Sequence, residues 1–305
     1  MIELHDITIN KKDELNRFLH LRQNGAAELS FTNIFMWRKS YDMKYAIVDD
    51  MLCTTAAYAD DEPRCFSFPI GFTDEFGKER DIRPALTEII GYFKSRGERP
   101  IMRFSSEREV EHLNREFPDM FEIREERDAF DYVYKTDDLI RLSGKKYHAK
   151  KNHINKFKKL YPDFEYVSLG KSDGDEVLEL FNSWRSNKEV ETEGLDDEFD
   201  AIKDLVTNMD ELGVVGGGIR VGGRLAAFSF GEALDDKMAL IHLEHADNAY
   251  EGAFTVMNQQ FLEHEWSGFE FVNREEDMGL EGMRKAKLSY HPCMMIKKYV
   301  AEAKK

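Results

Sequence analysis

Helical spacing and strand-like alternation of apolar residues divide the chain into two runs of elements in the same order. Leu15, Phe18, Leu19 and Arg22 predict a helix over 12–24, and Ser30 is placed to cap a second over 30–39. Strands are expected at 43–49, 51–58 and 64–70, the first two joined by a tight Asp49-Asp50 turn. A helix with Pro84 in its first turn reaches about 96, followed by a strand at 100–104, a helix at 106–117 and a strand near 130–135. After a basic segment come helices near 173–187 and 196–212, then strands near 214–221, 224–233 and 237–246. A helix at 253–266, a strand at 269–272, a helix at 279–287 and a strand at 293–300 close the second run.

Three hairpin-joined strands followed by an α–β crossover predict a sheet that is antiparallel first and parallel where the crossover returns. The sequences of the two runs are not visibly alike, so the repeat is one of architecture: an α/β fold with mixed sheets, in two domains at 1–137 and 138–305. The element order resembles the acyltransferase fold of the GNAT superfamily. That resemblance implies two central parallel strands that splay apart around an acyl donor.

Composition narrows the classes. With 42% hydrophobic and 33% charged residues the chain can bury a core, which excludes disordered and collagenous proteins. No stretch approaches the roughly 18 apolar residues of a membrane helix, and the N-terminal MIELHDITINKKDEL lacks the apolar core and cleavage site of a signal peptide. A cytoplasmic location is expected. Cys53, Cys65 and Cys293 form no CxxC or Cys/His cluster, so neither a disulfide framework nor a metal site is expected, and buried free thiols are.

The net charge of −16 argues against general affinity for nucleic acid. Yet residues 145–159, KKYHAKKNHINKFKK, hold seven lysines, two histidines and no acid, leaving −23 on the other 290 residues. The segment from Ser143 to Tyr161 reads as one helix, Ser143 capping it and Tyr147, Ile154, Phe157 and Tyr161 forming its apolar face. Its lysines are either a solvated face or a phosphate-contacting stripe, with Lys145, Lys146, Lys150 and Lys151 the candidates and Asn152 and His153 adding hydrogen bonds.

Three further segments carry chemistry. In IHLEHA, alternation puts His242 and Glu244 on one side of a strand and His245 on the other. A carboxylate in so apolar a strand needs a cation or a polar cavity, so Glu244 is a general base, an anchor for a substrate ammonium, or half of a structural ion pair; the histidines read as hydrogen-bonded strand residues. Gly252 opens a helix whose N-terminus could hold a phosphate. The usual GNAT phosphate loop has Gln or Arg three residues before its first glycine and Gly or Ala two after it, whereas here those positions are Ala249 and Phe254, which weakens a coenzyme A donor. The densest polar cluster is FVNREEDMGLEGMRKAKLSYHP, at the C-terminal end of a short strand, where ligand sites of open α/β sheets form. Its alternating acids and bases suit a zwitterion, carboxylates for an ammonium and Arg or Lys for ester or phosphate oxygens.

SGKKYHAKKNHINKFKKLYPDFEY, IHLEHA and NREEDMGLEGMRKAKLSYHP together resemble the bacterial DUF2156 family, related to the C-terminal catalytic domain of phosphatidylglycerol lysyltransferases. That family is similar to the Fem peptidyltransferases in having two tandem GNAT-like domains, and its characterised relatives move an aminoacyl group from aminoacyl-tRNA to an acceptor such as a lipid hydroxyl. The resemblance makes the basic helix a tRNA contact and leaves the acceptor, whether lipid, peptide or small molecule, open. The lipid-modifying synthases also carry a large membrane-embedded N-terminal region, which these 305 residues do not contain.

The expected activity is therefore acyl transfer, with aminoacyl-tRNA preferred to acyl-CoA as donor, no covalently bound cofactor and the first domain serving as scaffold or acceptor platform. Glu244 is assigned as base or ammonium anchor, and Asn273 and Arg274 as donor-positioning groups. Glu275 and Asp277 are assigned to an amine, Arg284 to substrate oxygens, Lys287 to phosphate or developing negative charge, and Tyr290 as a proton donor. The rivals are an acyl-CoA-dependent N-acyltransferase and a ligand-binding module without turnover.

Overall fold

The structure is a computed structural model, and it describes residues 2–21, 24–57, 63–73, 78–186 and 194–304. Arg22 and the ends of the expected elements at 22–23, 58 and 187 lie outside the described residues.

The chain begins with β1 (His5–Asp6), α1 (Lys12–Leu19), α2 (Phe31–Trp37), β2 (Lys44–Val48), β3 (Met51–Ala56) and β4 (Cys65–Ser67). It continues through α3 (Arg83–Ser95), β5 (Ile101–Ser105), α4 (Glu107–Glu116), β6 (Phe121–Glu125), β7 (Asp131–Lys135) and α5 (Thr136–Arg141). Next come α6 (His148–Leu160), β8 (Glu165–Leu169), α7 (Gly174–Ser186), α8 (Leu195–Thr207), α9 (Met209–Leu212), β9 (Val215–Val221), β10 (Arg224–Ala233) and β11 (Met238–Ala246). The chain ends with α10 (Ala253–Glu265), β12 (Phe271–Asn273), α11 (Glu281–Leu288), β13 (Met294–Ile296) and β14 (Tyr299–Ala303).

Local signals account for many of these boundaries. Ser30 accepts from the Asn33 N–H at the start of α2, and Ser106 with Glu109 closes a capping box on α4. Asp49 and Asp50 both take positive φ, 51° and 55°, as the tight hairpin between β2 and β3 requires.

Among the described residues there are two seven-stranded mixed sheets, ordered β1-β2-β3-β4-β5-β14-β6 and β13-β7-β12-β11-β10-β9-β8. Each follows the expected plan. In the first, β2, β3 and β4 are antiparallel neighbours and β4 pairs parallel with β5 across α3. In the second, β9, β10 and β11 are antiparallel and β11 pairs parallel with β12 across α10.

Three expectations are corrected. The run at 293–300 is two strands, β13 in the second sheet and β14 in the first, because Lys297 and Lys298 lie between them and only the second piece finds partners in β5 and β6. The strand near 130–135, expected to complete the first sheet, is β7 and pairs with β12 of the second. The basic segment is not one helix capped by Ser143: Leu142 (φ 47°) and Gly144 (φ 91°) take left-handed conformations that end α5, a 3-10 turn spans Lys145–Tyr147, and α6 starts at His148. β6, β8 and α5 are elements the hydrophobic pattern did not reveal.

The chain divides into one unit of 1–131, 276–280 and 296–305 and another of 132–275 and 281–295, rather than into consecutive segments at 1–137 and 138–305. In the first unit Lys298, 3% exposed, lies 2.7 Å from both Asp131 and Glu28, while the Ala27 N–H donates to Asp131. The core of the second unit includes Tyr132, Tyr134, Tyr147, Ile154, Phe157, Val256, Phe261 and Tyr290. Burying Ile154 and Phe157, at roughly 1.5–3 kcal/mol each, holds α6 to this core and turns its lysine-rich side to solvent. Cys53 and Cys65 are buried as expected, but Cys293 is exposed.

Candidate active site

The pairing of β11 with β12 stops at Leu240–Asn273, while β11 runs on to Ala246. His242 and Glu244 therefore lie where the two parallel strands have parted, and residues following β12 turn back toward them. Asn273 Oδ1 accepts from the Glu275 N–H at 2.7 Å, fixing a turn in which Glu275 takes φ 55°. Tyr132 of β7 holds the same turn, its carbonyl accepting from Arg274 N–H and its N–H donating to the Glu275 carbonyl.

Two charged groupings result. Arg274 donates through Nη2 to Glu244 Oε1 at 2.9 Å, and Asn258 of α10 donates to Glu244 Oε2 at 3.3 Å. Glu244 is thus half of an ion pair. The Arg274 guanidinium lies 5.1 Å from the centre of the Tyr290 ring and 5.9 Å from that of Tyr134, and its Nη1 is buried with no hydrogen-bond partner among the described residues. Burial opposes its charge, but Glu244 and the two tyrosines outweigh burial and raise its pKa. In the second grouping the His242 ring lies 3.0 Å from Glu275 through Nδ1 and 3.1 Å from Glu232 through Nε2. Burial works against an imidazolium here, yet the two carboxylates override it and raise His242 to about 9, so it is a cation at neutral pH. On the opposite face of β11, His245 contacts Glu198 at 2.9 Å.

Lys150 departs from the lysine stripe. Lys145, Lys146, Lys151, Asn152 and His153 are exposed, and Lys146 pairs loosely with Asp138 at 3.6 Å. Lys150 is half-buried, with Nζ 3.7 Å from the centre of the Tyr290 ring. Burial, reinforced by Arg274 and opposed by Glu244, lowers its pKa to about 8. Tyr290 itself is buried, and burial raises its pKa, so it stays protonated.

Other expected residues take supporting places. Asn273 is fully buried and spends its side-chain oxygen on the turn, so it positions Arg274 and Glu275 and does not reach a donor. Asp277, also fully buried, belongs to the first unit, where it accepts from Gly279 N–H and Arg127; it is not placed to recognise an amine. Lys287 donates to the Arg274 carbonyl at 2.6 Å, and Tyr134 donates to the Lys287 carbonyl at 2.8 Å. Arg284 is half-buried on α11. Tyr134, Thr255, Asn258 and Glu232 escaped the sequence reading. Thr255 and Asn258 left a signal, as polar residues on the buried side of α10.

The N-terminus of α10 does not fit a pyrophosphate. Gly252 takes φ 92° and meets α6 so closely that an added Cβ would lie 2.8 Å from the His153 carbonyl oxygen. The Ala253 and Thr255 N–H groups already donate to the Tyr250 and Gly252 carbonyls. Gly252 serves the packing of α6 on α10. Among the described residues no cluster suits a metal ion, and no helix is long and apolar enough to cross a membrane.

Residues 20–302 match the family described as Phosphatidylglycerol lysyltransferase, C-terminal. A conserved protein of unknown function from Bacteroides thetaiotaomicron VPI-5482 is 32% identical over 100% of both chains, with a TM-score of 0.90. The L-PGS structure from Bacillus licheniformis shares the fold at 14% identity, covering 98% of this chain and 93% of that one, with a TM-score of 0.66. A tandem GNAT protein from the clavulanic acid biosynthesis pathway does so at 12% identity, covering 100% and 99%, with a TM-score of 0.52, in keeping with two GNAT-like halves. An uncharacterised protein, MYCGA3080, of Mycoplasmoides gallisepticum is 25% identical over 180 residues; the match takes in 56% of this chain and spans about half (55%) of that relative.

Proposed function

Because the chain belongs to the phosphatidylglycerol lysyltransferase C-terminal family, we propose that it is a GNAT-fold acyltransferase that moves an aminoacyl group from aminoacyl-tRNA to a hydroxyl or amine acceptor. The observation that carries this reading is the split in the basic segment. Lys145, Lys146, Lys151, Asn152 and His153 face solvent, suited to a phosphate backbone, while Lys150 turns inward beside Arg274, Glu244 and Tyr290. A nucleic acid held by the outer face would bring its 3′ ester toward the inner cluster. The closed N-terminus of α10 speaks against the acyl-CoA alternative.

Within this reading the Arg274 side chain meets the ester carbonyl oxygen. Glu244, which keeps unused lone pairs beside Arg274, receives the donor's ammonium. Glu275, neutralised by His242, lends a second carboxylate, and Arg284 meets substrate oxygens. The acceptor is a lipid, a peptide or a small molecule, and the site works in the cytoplasm where charged tRNA is found.

The test is equilibrium binding of charged tRNA, uncharged tRNA and acyl-CoA at several salt concentrations. Charged tRNA should bind best. Replacing Lys145, Lys146 and Lys151 with Gln should flatten the log–log salt dependence by roughly 2, given about 0.7–0.9 per phosphate contact. Salt-independent binding of acyl-CoA with no response to tRNA would overturn the reading.

A further inference from the structure

Lysine side chains on an exposed helix normally extend into water, because the ammonium is strongly hydrated. Lys150 does not. Its Nζ lies 3.7 Å from the centre of the Tyr290 ring, and the Arg274 guanidinium lies 5.1 Å from the same centre, so two cations lie against one aromatic ring. Only one of them has a carboxylate partner: Arg274 is paired with Glu244, and Lys150 has no ion pair among the described residues. The charged and titratable groups facing Lys150 are Arg274 after β12, Glu244 of β11 and Tyr290 after α11, with Tyr134 of β7 beyond the guanidinium. Lys287 is directed elsewhere, to the Arg274 carbonyl. Buried beside a fixed guanidinium, an amine gives up its proton more easily than one in water. Arg274 for its part holds a buried Nη1 with no acceptor.

Resting on the transferase reading above, we infer that Lys150 is the proton-transfer group of the acyl-transfer site and that Arg274 Nη1 is its carbonyl-oxygen donor. In the first step the neutral Lys150 amine takes the proton from the acceptor hydroxyl or amine as the acceptor's bond to the acyl carbon forms. The carbonyl electron pair moves onto oxygen, where Arg274 Nη1 donates to it. In the second step the oxygen pair returns, the bond from the acyl carbon to the ribose oxygen breaks, and Lys150 delivers its proton to that oxygen. The proton taken equals the proton returned, and no other reactant is consumed. Tyr290 is the ring against which both cations lie.

The experiment has two arms. In the first, the free protein is labelled with trace acetic anhydride across pH 6–10 and Lys150 acetylation is followed by peptide mass spectrometry; half-reactivity near pH 8 is expected, in line with its lowered pKa. Half-reactivity at the ordinary lysine value, about 10.4, would overturn the inference. In the second, single-turnover release of the aminoacyl group from charged tRNA is measured for wild type, Lys150→Arg and Lys150→Gln, with tRNA affinity measured alongside. The wild-type rate should rise with pH to a plateau. Both variants should bind charged tRNA yet lose about 10²–10⁴-fold in rate and the pH dependence with it. A Lys150→Arg variant as fast as wild type would show a charge-only role and overturn the inference while leaving the transferase reading intact. No release by wild type from any charged tRNA would overturn that reading and this inference together, whatever the labelling shows.

Discussion

Asn273 shows how the role of a residue turns on where its hydrogen-bonding capacity is spent. Read from sequence, it stands at the head of a polar cluster and invites a substrate contact. In the fold it is completely buried, and its oxygen holds the N–H of Glu275 in a left-handed turn. Replacement by Ala would leave that N–H without its partner and free the turn that aims Arg274 at Glu244. Asn273→Ala should therefore lower the unfolding free energy by about 1–3 kcal/mol in urea titration, and any loss of transfer should accompany a lower melting temperature. Unchanged stability with abolished transfer would return Asn273 to the substrate. Glu244 was legible from sequence as a charge needing a partner in an apolar strand, and that partner is Arg274, which the sequence placed in the polar cluster as a donor-positioning group. The inward turn of Lys150 was not legible, because seven lysines of one segment look alike until Ile154 and Phe157 fix which side of α6 faces the core.

The elements were read well where the determinant was local. Alternation found β9, β10 and β11, and Ser30 marked the start of α2. What failed was membership. Nothing in the few residues of β7 or β14 states which sheet each will join, since that depends on partners more than a hundred positions away. The same holds for Gly252, which sequence places at a possible anion site and the fold uses as the point of closest approach between α6 and α10. Gly252→Ala should strain a φ of 92° and push α6 outward. A loss exceeding about 1 kcal/mol is expected from calorimetry, together with weaker binding of charged tRNA. Retained stability with newly weakened acyl-CoA binding would point back to a phosphate cradle.

Across the molecule, charge is distributed with a purpose the composition hides. A net −16 repels polyanions at a distance, and one exposed lysine face interrupts it, in the unit that also holds Arg274 and Glu244. The first unit carries its own charged features, a buried Lys298–Asp131–Glu28 grouping and a groove of about 580 Å³ lined by Glu3, His5, Asp6, Tyr45 and Glu88 among others. Among the described residues neither offers a buried donor nitrogen without a hydrogen-bond partner, as the second unit does at Arg274 Nη1. The central claim is that the donor is an aminoacyl ester of tRNA. Its most direct test is to incubate the protein with a pool of tRNAs charged with radiolabelled amino acids and a mixture of lipid, peptide and amine acceptors, then follow the label. One class of aminoacyl ester should be depleted and its label should appear in an acceptor. Stable esters in every class, alongside consumption of an acyl-CoA by the same mixture, would contradict it.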